Sequence, residues 1–322
     1  MAIEHEISFP SGSLQLAGTV RRPETGGPFP GVVLIPGSGQ VDRNENARKL
    51  AINAFREIAT DLGEKGIATL RYDKRGVGES QGDFWTTGFY DNVSDAAAAL
   101  HVLRSNEYIR PDHIYLLGHS EGAVIATRLA ASGAEIAGVV LLAGTARPGE
   151  QVLSWQSQQI VRTLGGINRF LINLLHIDVQ KAQQKQIEKI KHSTQDSYRV
   201  QLVTRINAKW MREFLAHDPA GDLSKIRVPV LAITGSKDIQ VNPDDLRRMA
   251  ELVQSEIEWH EVPDLNHILR KEAGAPTLST YKQQVRRPVD QRVLRLISDW
   301  LRRHGEKQLL SPGSAFAGHA IV

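Results

Sequence analysis

The sequence predicts an α/β fold, in which a mostly parallel β-sheet is covered by helices on both faces and a helical cap is inserted. Three observations support this prediction. Short apolar runs, typical of strands buried on both faces, alternate with longer segments at helical spacing. The alternation stops between residues 145 and 223, where helical patterns alone are recognised, and it resumes at residue 228.

The predicted core elements follow one another in a simple order. Residues 4–9 and 14–22 alternate apolar and polar side chains around a Ser-Gly-Ser turn, which indicates an antiparallel hairpin at the sheet edge. Further strands are predicted over residues 31–35, 67–72, 115–117, 136–143, 228–234 and 257–262. Core helices are predicted over residues 44–66, 91–105, 123–131, 244–253 and 287–303.

The insertion is predicted to be helical and basic. Apolar side chains recur at helical spacing within residues 153–164, 167–175 and 200–214, and residues 180–192 predict a solvated helix. From residue 147 to 218 there are 11 Lys and Arg against 6 Asp and Glu, a net charge of +5. We interpret this as a solvated exterior, while a docking site for acidic substrates is the alternative. The resulting division is residues 1–144 and 224–304 for the core, 145–223 for the cap and 305–322 for a flexible tail.

Composition excludes several classes of function. The 322 residues are 41% hydrophobic and carry a net charge of +3 without a long basic run, so no nucleic-acid partner is expected. The absence of cysteine excludes disulfides, thiolate metal sites and a cysteine nucleophile. The first residues show no signal-peptide pattern, and the longest apolar run, residues 136–143, is too short to span a bilayer. We therefore expect a cytoplasmic protein without a membrane span, and the sequence leaves a homo-oligomer possible.

A serine lies where a predicted strand meets a predicted helix. The sequence Gly118-His119-Ser120-Glu121-Gly122 follows the apolar run 115–117 directly. A strand, a five-residue turn and a helix with serine at the centre form a nucleophile elbow, whose glycines permit the tight turn. The bare motif would occur by chance in roughly one chain in ten of this length, so the context carries the prediction. The alternative is an ordinary strand-to-helix turn that contains a serine.

A serine nucleophile needs a base and an acid that orients the base. Asp238 follows the predicted strand 228–234, and His267 follows the predicted strand 257–262. Both therefore belong at the carboxyl ends of strands, and the order Ser120, Asp238, His267 is the one found in the α/β-hydrolase fold. Asp264 is the rival acid, but a residue so close to His267 would have to fold back sharply. We expect the side chain of His119 to point away from the cleft.

The loop after the strand 31–35 is the candidate oxyanion hole. A developing oxyanion is stabilised by preorganised backbone N–H donors. One donor is expected from Glu121, the residue after the nucleophile, and the other from Ser38, with Gly39 as the second choice. A phosphate-binding loop is the alternative, but no G-x-x-x-x-G-K and no proper G-x-G-x-x-G occurs here.

Taken together, these motifs resemble the α/β-hydrolase superfamily, specifically its capped esterase and serine-aminopeptidase-like branch. The matching segments are PGSGQVDRNEN, RYDKRGVGES, GHSEG, GSKDIQV and LNH. Many relatives have His-Gly in place of Pro36-Gly37, and in this branch RYDKRG is a structural turn, so Asp73 and Arg75 are not assigned to catalysis. The resemblance implies a serine hydrolase, a carboxylesterase that forms an acyl-enzyme on Ser120 from a small-molecule ester, with no cofactor and no metal.

The cap leads us to expect esters of short-to-medium acyl chain. Its apolar residues should roof the cleft and bound the depth of the pocket, namely Leu153, Trp155, Phe170, Leu174 and Trp210. Alternatively, they form the cap's own core and chain length hardly matters. Other activities that the sequence leaves open are those of a peptidase or aminopeptidase, an acyltransferase and a non-catalytic, hydrolase-like binding protein.

Overall fold

An eight-stranded β-sheet forms the centre of the computed structural model, which describes residues 2–163, 179–200 and 204–310. The sheet order is β1-β2-β4-β3-β5-β6-β9-β10. The pairs β1–β2 and β2–β4 are antiparallel, and the other neighbours are parallel. The strands are β1 Ala2–Ser11, β2 Leu14–Pro23, β3 Phe29–Ile35, β4 Ala68–Tyr72, β5 Ile109–His119, β6 Gly138–Leu142, β7 Ser197–Val200, β8 Thr204–Asn207, β9 Val230–Gly235 and β10 Ile257–Val262.

Helices cover both faces of this sheet, because its central strands are apolar on both sides. In β5, Ile114 and Leu116 face one core, and Tyr115 and Leu117 face the other. The first core lies under α2, α3 and α8, and the second lies under α1 and α10. The α/β prediction is thereby confirmed. The helices are α1 Ala54–Glu64, α2 Phe89–Arg104, α3 Glu121–Ala131, α4 Gly149–Thr163, α5 Val179–Lys191, α6 Ala208–Ala216, α7 Pro219–Leu223, α8 Asp245–Leu252, α9 Tyr281–Gln284 and α10 Gln291–Leu310, with a 3₁₀ turn at Leu278–Thr280.

The segment between β6 and β9 contains strands as well as helices, which corrects the all-helical prediction. Strands β7 and β8 pair in the antiparallel direction, so the helical face predicted over residues 200–214 is wrong for residues 204–207, which form β8. The side chain of Asn207 accepts a hydrogen bond from the Trp210 N–H and caps α6, which ends the strand there. The predicted solvated helix exists as α5, but Ile187 and Ile190 are buried in a small core of this segment. The helix predicted over residues 167–175 lies outside the described residues.

Two predicted helix boundaries in the core are also wrong. The helix predicted from residue 44 begins only at Ala54, because the Asp42 carboxylate accepts the N–H groups of Asn44 and Asn46 and holds them in a loop. The last helix continues past Gly305 to Leu310, so the tail predicted to begin at residue 305 starts within a helix. Among the described helices, none combines the length and apolarity needed to cross a membrane.

The parallel strands bring four loops to one edge of the sheet. In the register, Ile35 at the end of β3 pairs with Gly118 near the end of β5. Val262 at the end of β10 pairs with Gly235 at the end of β9. The loops that leave these four strands carry every residue assigned to the candidate site, since carboxyl ends of parallel strands share one edge.

Candidate active site

The tight turn at Ser120 results from close packing of the main chain around it. Ser120 has a φ of 55° and a ψ of −116°, a conformation that costs free energy in any residue other than glycine. A Cβ atom on Gly118 would lie 2.0 Å from the carbonyl oxygen of Gly122. A Cβ atom on Gly122 would lie 1.9 Å from the carbonyl oxygen of Ile35. Glycine is therefore required at both positions for α3 to start so close to β3 and β5.

The structure brings Ser120, His267 and Asp238 into one hydrogen-bonded series. His267 Nε2 lies 3.2 Å from Ser120 Oγ, and His267 Nδ1 lies 2.8 Å from Asp238 Oδ2. An ionised carboxylate only accepts hydrogen bonds, so Nδ1 donates to Asp238 and Nε2 is left to accept the Ser120 hydroxyl. The other oxygen, Asp238 Oδ1, accepts the N–H groups of Gln240 and Val241 at 2.8 and 2.9 Å, which fixes the carboxylate.

Asp264, the rival acid, is bonded elsewhere. Its carboxylate lies 2.8 Å from the ammonium of Lys237 at the protein surface. The hydrogen bond and the charge of Lys237 lower the pKa of Asp264. The structure thus places Asp238, and not Asp264, against the imidazole of His267.

The two predicted oxyanion donors both lie close to Ser120. A Cβ atom on Gly37 would lie 3.4 Å from Ser120 Cβ, so the loop after β3 touches the serine. Ser38 and Glu121 both line the cavity in front of Ser120. Glu121 is the first residue of α3, where N–H groups have no acceptor within the helix. In residues 2–163, 179–200 and 204–310, the N–H groups of Ser38 and Glu121 make no hydrogen bond to protein. Their role as donors stays a prediction, as does the choice of Ser38 over Gly39.

A buried ion pair behind these loops was not predicted from the sequence. His119 Nδ1 lies 2.9 Å from Glu45 Oε2, and His119 Nε2 lies 2.9 Å from the carbonyl oxygen of His267. A carboxylate and a carbonyl oxygen both accept hydrogen bonds, so both contacts suit an imidazole that donates from both ring nitrogens. Burial disfavours a positive charge on His119, but the charge and hydrogen bond of Glu45, together with the hydrogen bond to the His267 carbonyl oxygen, outweigh burial and raise the pKa of His119. Because Glu45 Oε1 also accepts the Gly37 N–H at 2.6 Å, the pair joins the loop after β3 to the loop that carries His267.

A second buried cluster surrounds the side chain of Glu121. Its carboxylate accepts hydrogen bonds from Lys74 at 2.9 Å, Asn92 at 3.0 Å and Trp210 Nε1 at 2.6 Å. Lys74 lies in the RYDKRG turn, whose Asp73 and Arg75 bind Arg43 and Asp95 away from the cavity. The resemblance treated this turn as structural, so the contact of Lys74 with Glu121 was not predicted.

The cavity in front of Ser120 is small and mainly apolar. It has a volume of about 70 Å³, well below the roughly 300–1,000 Å³ of pockets for drug-sized ligands. Of the residues predicted to roof it, Leu153 and Trp210 line it, Trp155 does not, and Phe170 and Leu174 lie outside the described residues. The remaining lining residues are Ser38, Glu121, Val124, Ala143, Thr145, Val152, Gln156, Phe214 and Val241. In the part of the chain that the structure describes, no group of three or more His, Asp or Glu could hold a metal ion.

Comparisons with known proteins agree with this architecture. A model of the family described as serine aminopeptidase, S33, matches residues 50–274, which is more than half of the chain. The esterase EstD of Thermotoga maritima is 31% identical over 294 residues, covering 89% of this chain and 65% of EstD. The chain therefore spans slightly less than two thirds of that relative's length.

Solved structures show the same fold at low sequence identity. Est1E from Butyrivibrio proteoclasticus, solved with ferulic acid bound, has a TM-score of 0.61 at 16% identity. The match covers 95% of this chain and 100% of Est1E. Proline iminopeptidase from Mycobacterium smegmatis has a TM-score of 0.61 at 15% identity. The match covers 94% of this chain and 100% of the iminopeptidase. At these identities the likeness shows the fold alone.

We expect Gly122→Ala to destabilise the fold. The new methyl group would meet the carbonyl oxygen of Ile35, and overpacking of this kind costs about 1–3 kcal/mol or more in the free energy of unfolding. Gly274→Ala is a matched control, because its methyl group would lie 3.8 Å from Glu272 Oε1, an ordinary contact. Thermal unfolding followed by circular dichroism measures both variants. Equal melting temperatures would contradict the crowding at Gly122.

The two aspartates are expected to differ sharply when they are substituted. Asp238→Asn should lower kcat for p-nitrophenyl acetate by about 10⁴-fold, because an amide facing His267 Nδ1 favours the wrong tautomer. Asp264→Asn should lower kcat by less than tenfold, because Asp264 contacts Lys237 instead. Steady-state kinetics of the two variants compare them directly, and the reverse ranking would transfer the orienting role to Asp264.

Proposed function

The chain belongs to the serine aminopeptidase S33 family of α/β hydrolases, and we propose that it is a serine carboxylesterase that cleaves small esters of short-to-medium acyl chain. The observation that carries this proposal is the series Asp238–His267–Ser120, with hydrogen bonds of 2.8 and 3.2 Å, which opens onto a small apolar cavity. The family match, residues 50–274, includes all three of these residues. The similarity to the esterase EstD supports the same activity.

In the proposed reaction, Ser120 Oγ attacks the carbonyl carbon of the ester while His267 Nε2 takes the hydroxyl proton. Asp238 holds the imidazole and stabilises its positive charge. The N–H groups of Ser38 and Glu121 stabilise the oxyanion of the tetrahedral intermediate. His267 then gives its proton to the departing alcohol and leaves an acyl group on Ser120. Water activated by His267 attacks this acyl-enzyme, the acid is released and the serine is regenerated.

The polar groups of the cavity favour an ester over a substrate with a free amine. An aminopeptidase needs a carboxylate in its pocket that can pair with the amine of the substrate. Among the described lining residues, the one carboxylate is that of Glu121, and it already accepts hydrogen bonds from Lys74, Asn92 and Trp210. A substrate amine would therefore have to displace an existing donor.

The volume of the cavity supports short-to-medium acyl chains. The indole of Trp210 stacks on the ring of Phe214, with centroids 5.0 Å apart and planes 8° apart, so this wall is rigid. Leu153 from α4 forms part of the same roof. Each methylene that enters gains about 0.8 kcal/mol until the space is filled, and a longer chain must displace the roof.

Ser120→Ala is expected to abolish the hydrolysis of p-nitrophenyl acetate. Removal of a serine nucleophile typically costs several decades in kcat, while the fold should be unaffected because the alanine methyl occupies the place of Cβ. Rates are measured together with circular dichroism and thermal unfolding. A fluorophosphonate probe should label the wild type at Ser120 and leave the variant unlabelled. Residual activity near a tenth of the wild type would refute the assignment.

The acyl preference is expected to depend on Leu153. Wild-type kcat/KM for p-nitrophenyl esters should peak at short-to-medium chains between acetate and palmitate, and Leu153→Ala should shift the peak to longer chains by removing part of the roof. Leu215→Ala is the matched control, because Leu215 is buried in the small core of the cap segment and does not line the cavity. A flat profile, or the same shift in both variants, would show that Leu153 does not limit the acyl pocket.

A further inference from the structure

A buried lysine connects the two halves of the candidate oxyanion hole. Lys74 follows the end of β4, beside the loop that leaves β3, and its side chain is 4% exposed. Its ammonium donates to the carbonyl oxygen of Gly37 at 3.0 Å and to Glu121 Oε2 at 2.9 Å. Gly37 precedes one proposed oxyanion donor, Ser38, and Glu121 is the other.

The contact with Gly37 fixes the direction of the Ser38 N–H. The C=O of Gly37 and the N–H of Ser38 belong to one planar trans peptide, so they point in opposite directions. When Lys74 holds the carbonyl oxygen on one side, the N–H must face the other side. The preceding N–H, that of Gly37, is held by Glu45 Oε1 at 2.6 Å, which restrains the loop from a second direction. The peptide plane needs such restraint, because a glycine at position 37 gives the backbone unusual freedom on one side of it.

The contact with Glu121 removes a charge that would oppose catalysis. The carboxylate of Glu121 belongs to the residue whose N–H is proposed to bind the oxyanion, and its side chain is 2% exposed. An uncompensated negative charge at this depth would repel a second negative charge strongly, since little solvent screens it. Buried ion pairs are seldom the most stable choice for a protein core, so stability alone does not account for the pair.

We propose that Lys74 is a positioning residue of the oxyanion hole, which orients the Gly37–Ser38 peptide and neutralises the carboxylate of Glu121. This inference rests on the proposed esterase function. Lys74 acts through the peptide and through Glu121, and it does not touch the substrate. This gives a role to Lys74 of the RYDKRG turn, which contacts the cavity-lining residue Glu121 without lining the cavity itself.

The test asks whether Lys74 still supports catalysis once Glu121 carries no charge. In a Glu121→Gln background the side chain is neutral and the main-chain N–H is kept. Adding Lys74→Met to this background leaves no unpaired charge and removes the donor to the Gly37 carbonyl oxygen. Loss of one oxyanion donor costs about 10²–10³ in kcat, and a donor that is misdirected should cost less. We therefore expect Lys74→Met/Glu121→Gln to have a kcat about 10–100-fold below that of Glu121→Gln, with KM changed by less than about threefold.

A transition-state analogue provides a readout that a purely structural role would not move. A trifluoromethyl ketone forms a tetrahedral adduct with the serine and places an oxyanion in the hole, so its affinity should fall by the same factor as kcat. Lys65→Met is the control for the loss of a lysine donor, because Lys65 binds Asp61 and Ser298 far from the cavity. That variant should change neither kcat nor the affinity for the ketone.

The outcomes distinguish this inference from the proposed function. If Ser120→Ala stays active, the esterase mechanism itself fails. If Ser120→Ala is inactive but Lys74→Met/Glu121→Gln matches Glu121→Gln in kcat and in ketone affinity, only the role of Lys74 is refuted. The wild type gives a further test that does not depend on the folding of a variant: amide NMR of the ketone adduct should show a large downfield shift of the Ser38 N–H. A shift at Gly39 instead of Ser38 would overturn the inference.

Discussion

The contact of α3 with the end of β3 is the constraint on which the rest of the site depends. Because a Cβ on Gly122 would lie 1.9 Å from the Ile35 carbonyl oxygen, the helix can start at this point only without a side chain there. This approach holds Ser120 at a φ of 55° and brings the loop after β3 against the serine. The proposed nucleophile and both proposed oxyanion donors are therefore positioned by one close contact between main chains. The apolar cores on the two faces of the sheet stabilise this contact.

Buried charges hold the loops that this contact brings together. The His119–Glu45 pair binds the Gly37 N–H on one side and the His267 carbonyl oxygen on the other. The Lys74–Glu121 pair binds the Gly37 carbonyl oxygen. One glycine thus has both of its main-chain polar groups bound by side chains that belong to ion pairs. Burying charged groups costs free energy. When every charged or polar group of such a network has a hydrogen-bond partner, however, the network favours a single conformation of the loops.

Sequence reasoning identified the strand pattern and the strand-end motifs, and it missed contacts between residues distant in the sequence and local capping by polar side chains. Alternating apolar runs predicted the sheet, and the short segments at strand ends predicted Ser120, Asp238 and His267, which the structure brings together. The ion pairs could not be predicted, since Lys74 and Glu121 are 47 residues apart and His119 and Glu45 are 74 apart, with no spacing rule to join them. The loop before Ala54 and the strand pair β7–β8 were missed because side-chain capping by aspartate and asparagine overrides an apolar period.

The cap and the oxyanion hole are parts of one hydrogen-bonded network. Trp210 of α6 lines the acyl cavity and donates to the same Glu121 carboxylate that Lys74 neutralises. A substrate too large for the cavity must move Trp210, and the movement removes one of the three donors to a buried carboxylate. A buried acceptor that loses its donor costs about 1–3 kcal/mol, more if it is charged. Selectivity for acyl size in the proposed esterase therefore has two physical sources. One is the limited volume of the cavity, and the other is the hydrogen bond from Trp210 to Glu121, which holds Trp210 in place beside Ser120.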